Sequence, residues 1–156
     1  MQTMEHIDLI KFDKSFHGSG WYDPEHYSSE HGDVFYRWMA SGEACSISLL
    51  SNNESCCIVY CDVMSMVSSE VLKYLEIDVD GQPAIWSASS QDGNGVRLQF
   101  LLPVKTDLEP CEVTFRVTKS FKAGVQDLRN LSFAFREITV TKVCFETLME
   151  LLEVRC

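Results

Sequence analysis

The sequence predicts an all-β protein: an antiparallel β-sandwich, jelly-roll-like, with a short C-terminal helix. Three observations predict it. Apolar residues recur at every second position through most of the chain, which puts one face of each strand on a core and the other in water. Turn residues separate these runs at short intervals. A helical period appears only at the tail.

The pattern predicts about nine strands, over residues 5–12, 33–40, 43–51, 55–64, 70–79, 83–88, 95–102, 110–119 and 130–142. In "LEIDVDG" Leu75, Ile77 and Val79 alternate with Glu76, Asp78 and Asp80. In "VRLQFLLP" Val96, Leu98, Phe100 and Leu102 share one face. In "EVTFRVT" Val113, Phe115 and Val117 do the same. Asp80-Gly81 between two runs is a strong hairpin signal, and "SQDGNG" at 90–95 is a second turn. In the run 130–142 the phase changes: Leu131, Phe133 and Phe135 have one parity, Ile138 and Val140 the other. A bulge near Arg136-Glu137 would keep both sets on the core. The irregular stretches are 13–32 and 120–129. In "CFETLMELLEV" Phe145, Leu148, Met149 and Leu152 fall at helical spacing with Glu146, Glu150 and Glu153 outside. The expected organisation is therefore a sandwich over 1–143, then an amphipathic helix or the start of a linker over 144–156. That tail offers a possible surface for protein docking.

The bulk numbers narrow the function. The chain has 156 residues, 46% apolar and 23% charged, which suits one globular domain. With 23 carboxylates against 13 Lys and Arg, its net charge is −10. Phosphate binding rests on clustered cations, so nucleic acid is not expected as a partner. No apolar run reaches the roughly 20 residues of a membrane helix, and "MQTMEHIDLIKFDK" has no secretory pattern. The seven cysteines form no pair of CxxC motifs, and several sit in apolar runs such as "CCIVYC". Reduced, buried thiols and a cytoplasmic setting are expected.

The stretch "HGSGWYDPEHYSSEHGDVFYRWMA", His17 to Ala40, holds most of the candidate chemistry. A metal site is one reading, but no HxH occurs and the histidines lie in a Ser/Gly-rich loop. No metal and no cofactor are expected, and a cupin-type metal enzyme is the least favoured alternative. Nucleophilic catalysis is not expected either: there is no GxSxG, and nothing lowers the pKa of Cys56-Cys57. Sugar binding remains, because Trp21, Tyr22 and Tyr27 lie in a predicted loop and Trp86 closes a hairpin strand. Against it stands a structural reading, with Trp21 and Trp38 plugging the sandwich end and Arg37 pairing Asp127.

"GWYDPE" (Gly20 to Glu25), "FYRWMASGEACSISL" (Phe35 to Leu49) and "FKAGVQDLRNLSFAFREITV" (Phe121 to Val140) resemble a small all-β domain of bacteria. That family carries a "GWYPPE"-like loop, then "FRWM" or "FRWT", and a "D-x-R-x-L-G" segment before its last strand. Here "DPE" stands where a second Pro is usual, and Ser132 where Gly is usual. The family occurs beside glycosyltransferases and methyltransferases of surface polysaccharide assembly, and its shape is similar to that of carbohydrate-binding modules. The resemblance implies a non-catalytic accessory module that binds a saccharide or positions a glycan-assembly enzyme. It could also be a domain of a larger glycosyltransferase. A purely structural protein–protein interaction domain is the alternative. The candidate binding residues are Trp21, Tyr22, Glu25, Arg37, Trp38, Asp127 and Arg129. An Asp–Arg bridge or an Arg–Trp stack among them would pin the long loop to the sheet.

Overall fold

The computed structural model describes residues 5–93 and 95–143. Every strand pair in it is antiparallel, and the strands form two sheets. The seven-stranded sheet holds β1 (Glu5–Lys11), β2 (Glu25–Ser29), β3 (Gly32–Ala40), β5 (Cys57–Met66), β8 (Trp86–Ser90), β9 (Val96–Leu102) and β11 (Leu131–Lys142). Its order is β2-β3-β11-β5-β9-β8, with β1 beside β11. The four-stranded sheet runs β4 (Ala44–Leu49), β10 (Cys111–Val117), β6 (Leu75–Val79), β7 (Gln82–Pro83). After β3 the chain passes repeatedly from one sheet to the other, so the two sheets are interleaved along the sequence.

The core lies between the sheets. Leu98, Phe100 and Leu102 of β9 face Val113, Phe115 and Val117 of β10, all buried. Phe115 joins the layers: its ring lies 5.2 Å from Phe135 on β11 and 6.1 Å from Phe100. Trp21 enters the same cluster from the loop before β2. Its ring centroid is 5.0 Å from Phe135, 5.1 Å from Phe12 and 6.1 Å from Phe115. Edge-on and tilted rings at these spacings are the favoured aromatic geometry.

The expected bulge is present. The pairing of β11 with β5 slips at Ala134/Phe135 and again at Phe135/Glu137. Arg136 is thus squeezed out of register, and Phe133, Phe135, Ile138 and Val140 are all buried. The bulge also divides one edge of β11. Residues 131–135 pair with β3, and 137–142 pair with β1.

Three expectations need correction. The strand predicted over 70–79 begins at Leu75. Ser69–Tyr74 is a 3₁₀ turn, because Ser68 caps it by accepting from the Glu70 N–H. The strand predicted over 83–88 is two strands on different sheets. Asp80 (φ 49°) and Gly81 (φ 81°) make a two-residue hairpin turn as expected. Pro83 then has no N–H to continue the ladder, and the chain crosses to β8. Finally, the stretch 13–32 contains β2, an edge strand whose side chains are mostly exposed; with both faces wet, it has no apolar alternation to read. The helix expected over 144–156, and the docking surface expected with it, lie outside the described residues. No helix among the described residues is long and apolar enough to cross a membrane.

Two outcomes are expected. Trp21→Ala lowers unfolding free energy in urea by about 3 kcal/mol, the scale of a large aromatic truncation; an unchanged midpoint would remove Trp21 from the core. Burial pushes the thiols of Cys45, Cys57, Cys61 and Cys111 up, that of Cys45 to about 12. Because the folded values lie above the usual thiol value of 9.0, the stability these neutral thiols contribute is present below that pH and is lost above it. Mass-mapped labelling with a disulfide reagent at pH 8 should leave these four untouched in the native protein and modify them in denaturant.

Candidate functional site

Residues 17–24 fold into a corner stitched to both sheets. Ser19 exchanges backbone hydrogen bonds with Ser46 of β4, at 3.2 and 2.9 Å, and the Tyr22 N–H donates to the Trp38 carbonyl of β3 at 3.0 Å. The Trp21 indole N–H donates to the Ser46 carbonyl at 3.0 Å. Gly20 makes this approach possible. Its φ is +87°, and a Cβ there would drive into the Ala44 carbonyl oxygen.

Arg37 holds the corner from below. It donates to the backbone carbonyls of Tyr22 (3.2 Å) and Asp13 (2.8 Å), with its guanidinium 5.0 Å over the Phe16 ring. The expected Arg37–Asp127 pair does not form. Strand parity puts Arg37 on the inner face of β3 with the buried Met39, while Tyr36 and Trp38 share the outer face.

Asp127 is taken instead by Arg129. The Arg129 N–H donates to Asp127 Oδ1 at 3.1 Å, and its guanidinium meets the same carboxylate at 2.7 Å. It also reaches Glu25 Oε2 at 3.0 Å and lies 5.4 Å over the Tyr22 ring. Glu25 stands directly across the ladder from Tyr36. Burial, and then the Glu25 charge beside it, push the Tyr36 phenol up from its ordinary value. The hydrogen bonds from Arg129 hold the Asp127 carboxyl below the usual range. Thus Tyr22, Glu25, Asp127 and Arg129 come together, with Tyr36 added. Trp38 lies half-buried two residues along β3 from Tyr36, on the same face. Trp21 and Arg37 are set apart, in the core corner.

The sequence reading missed a second cluster on this face. Arg136, at the bulge, donates to both oxygens of Asp62 on β5 at 2.8 and 3.1 Å, and to the Tyr27 hydroxyl at 3.1 Å. The Tyr27 ring lies 6.3 Å from that of Tyr36 and so links the two clusters. Two signals were available: a lone carboxylate inside the apolar run "CIVYCDVM", and an arginine at the predicted bulge.

His17, His26 and His31 are exposed and do not converge. Among the described residues no group of three or more His, Cys, Asp or Glu is placed to hold a metal ion.

No family model matches this chain, and no curated protein matches its sequence. Solved structures do match its fold. A family 35 carbohydrate binding module from Clostridium thermocellum aligns with TM-score 0.52 and 9% identity over 86% of this chain and 98% of that one. A family GH115 4-O-methyl-alpha-glucuronidase with specificity for decorated arabinogalactans aligns with TM-score 0.50 and 9% identity. That match covers 90% of this chain and only 18% of the glucuronidase. An exo-beta-1,3-galactanase from Phanerochaete chrysosporium aligns with TM-score 0.49 and 14% identity over 87% of this chain and 29% of that one. At these identities the likeness establishes the fold alone: an all-β antiparallel architecture similar to that of a carbohydrate-binding module.

Proposed function

We propose that this domain is a non-catalytic saccharide-binding module whose binding surface is the outer-face patch of Tyr22, Glu25, Tyr36, Asp127 and Arg129. The observation that carries the reading is the Arg129 clamp. A guanidinium held by two carboxylates lies on a tyrosine ring, and the Arg129, Glu25 and Asp127 side chains are still 35%, 36% and 40% exposed. A sugar needs such a surface: fixed donors and acceptors for its hydroxyls, beside ring faces for its C–H side. Half-exposed ion pairs add little to stability, so the clamp is better understood as orientation of polar groups than as a fold staple.

The fold likeness to a carbohydrate-binding module supports the reading. The Asp127 carboxyl is unsuited to the role of general acid. A general acid needs a pKa raised toward the working pH, whereas Asp127 is held low by Arg129. The sequence resemblance to domains that accompany polysaccharide-assembly enzymes supports the finer assignment, an accessory module that presents a glycan to a partner enzyme.

The test is a glycan array followed by calorimetry, using bacterial polysaccharide fragments with arabinogalactan and galactan, on wild type and Arg129→Ala. Binding that falls by about tenfold or more in a folded Arg129→Ala variant is expected, since a lost charge-assisted hydrogen bond leaves its partners unpaired. Unchanged binding would move the site elsewhere. No binding to any glycan would overturn the function.

A further inference from the structure

The outer face carries the same arrangement twice. Arg129 is held by Asp127 and Glu25 beside Tyr36; Arg136 is held by Asp62 beside Tyr27. Both guanidinium side chains are 35% exposed. Glu25 and Tyr27, which touch the two arginines, are two residues apart on one face of β2, so their anchor points lie about 7 Å from each other. The Tyr27–Tyr36 ring contact closes the gap between the units.

Arg136 also has open space beside it. Where β1 and β3 part company along β11, a cavity of about 550 Å³ opens, with Phe12, Val34 and Phe35 and the charged Lys11, Arg136 and Glu137 among its lining residues. That volume falls in the range of small-molecule sites. Its lining mixes apolar side chains with charged hydrogen-bonding groups, a combination that suits a saccharide.

We infer that Arg136, Tyr27 and Asp62 form a second subsite, so that the domain takes a neutral oligosaccharide of at least two contiguous units across the face. This rests on the saccharide-binding function proposed above and gives it a ligand class. Neutrality follows from charge. Glu25, Asp62 and Asp127 outnumber Arg129 and Arg136, and beside the second unit Asp13, Asp33 and Glu137 outnumber Lys11, which is itself paired with Glu137 at 2.6 Å. An acidic sugar would be repelled, and the guanidinium forks are already occupied by carboxylates of the protein.

The experiment is calorimetry of the whole chain with galactose, glucose and xylose and with their linear oligomers of two to four units. The variants are Tyr27→Ala and Tyr27→Phe; Tyr27 is 37% exposed on an edge strand, so neither threatens the core. Wild type is expected to bind the trimer of the preferred series about tenfold more tightly than the monomer, the effect of one added aromatic contact. Tyr27→Ala should erase that gain and leave monomer affinity within about twofold. Tyr27→Phe should lose only the part owed to the hydroxyl. Equal affinity for monomer and trimer would overturn the second subsite while leaving saccharide binding intact, as would equal weakening of both by Tyr27→Ala. Tighter binding of a galacturonate trimer than of its neutral counterpart would overturn the ligand class. Failure of every sugar to bind would remove the underlying function itself.

Discussion

The structure depends on one strand being paired along both edges. β11 lies against β5 on one side for nearly its whole length, and on the other it serves β3 and β1 in succession. A regular strand could not do this and keep its apolar residues inward, because Phe135 and Ile138 have opposite parity. The bulge at Arg136 resolves the conflict and turns that arginine out of the ladder. The same local irregularity thus completes the core, parts β1 from β3 and sets a cation on the outer face. Sheet closure and surface chemistry share a cause.

The aromatic corner is a second joint. Trp21 binds the loop to the core through its ring and to β4 through its indole N–H. Arg37 secures the same loop through two backbone carbonyls. With the corner fixed, Tyr22 is placed under Arg129 without a strand of its own. The division of labour is by face: Trp21 and Arg37 turn inward and hold, Glu25 and Tyr36 turn outward with Arg129, and Tyr22 stands between, packed against the core with Arg129 over its ring.

Much of this was legible in the sequence. Alternation located β3, β4, β5, β9 and β10, and a break in alternation located the bulge. The Asp-Gly turn was readable because its backbone demand is specific to few residues. What was hidden followed rules the letters do not carry. β2 was silent because an edge strand with two wet faces has no period. Residues 70–74 carry Val71 and Leu72, apolar enough for a strand, and only the Ser68 cap told otherwise. Within the site, Asp127 is expected on Arg37 although its actual partner Arg129 lies in the same turn, and Glu25 reaches Arg129 across 104 positions. Arg37 was given the wrong partner because its true ones are backbone carbonyls, which every residue possesses.

One consequence lies in the edge strand. β2 pairs with β3 alone and buries little. Beyond its ladder it meets the sheet through the half-exposed contacts of Glu25 with Arg129 and Tyr27 with Arg136, which add little to its stability. Releasing it exposes scarcely any apolar surface, so its local opening free energy sits far below that of the whole domain. Both proposed subsites lie along this strand. A ligand there binds only the closed form and must first draw on the closed fraction. Warming therefore costs the domain this proposed surface at a temperature where amide exchange in the sandwich core is still slow.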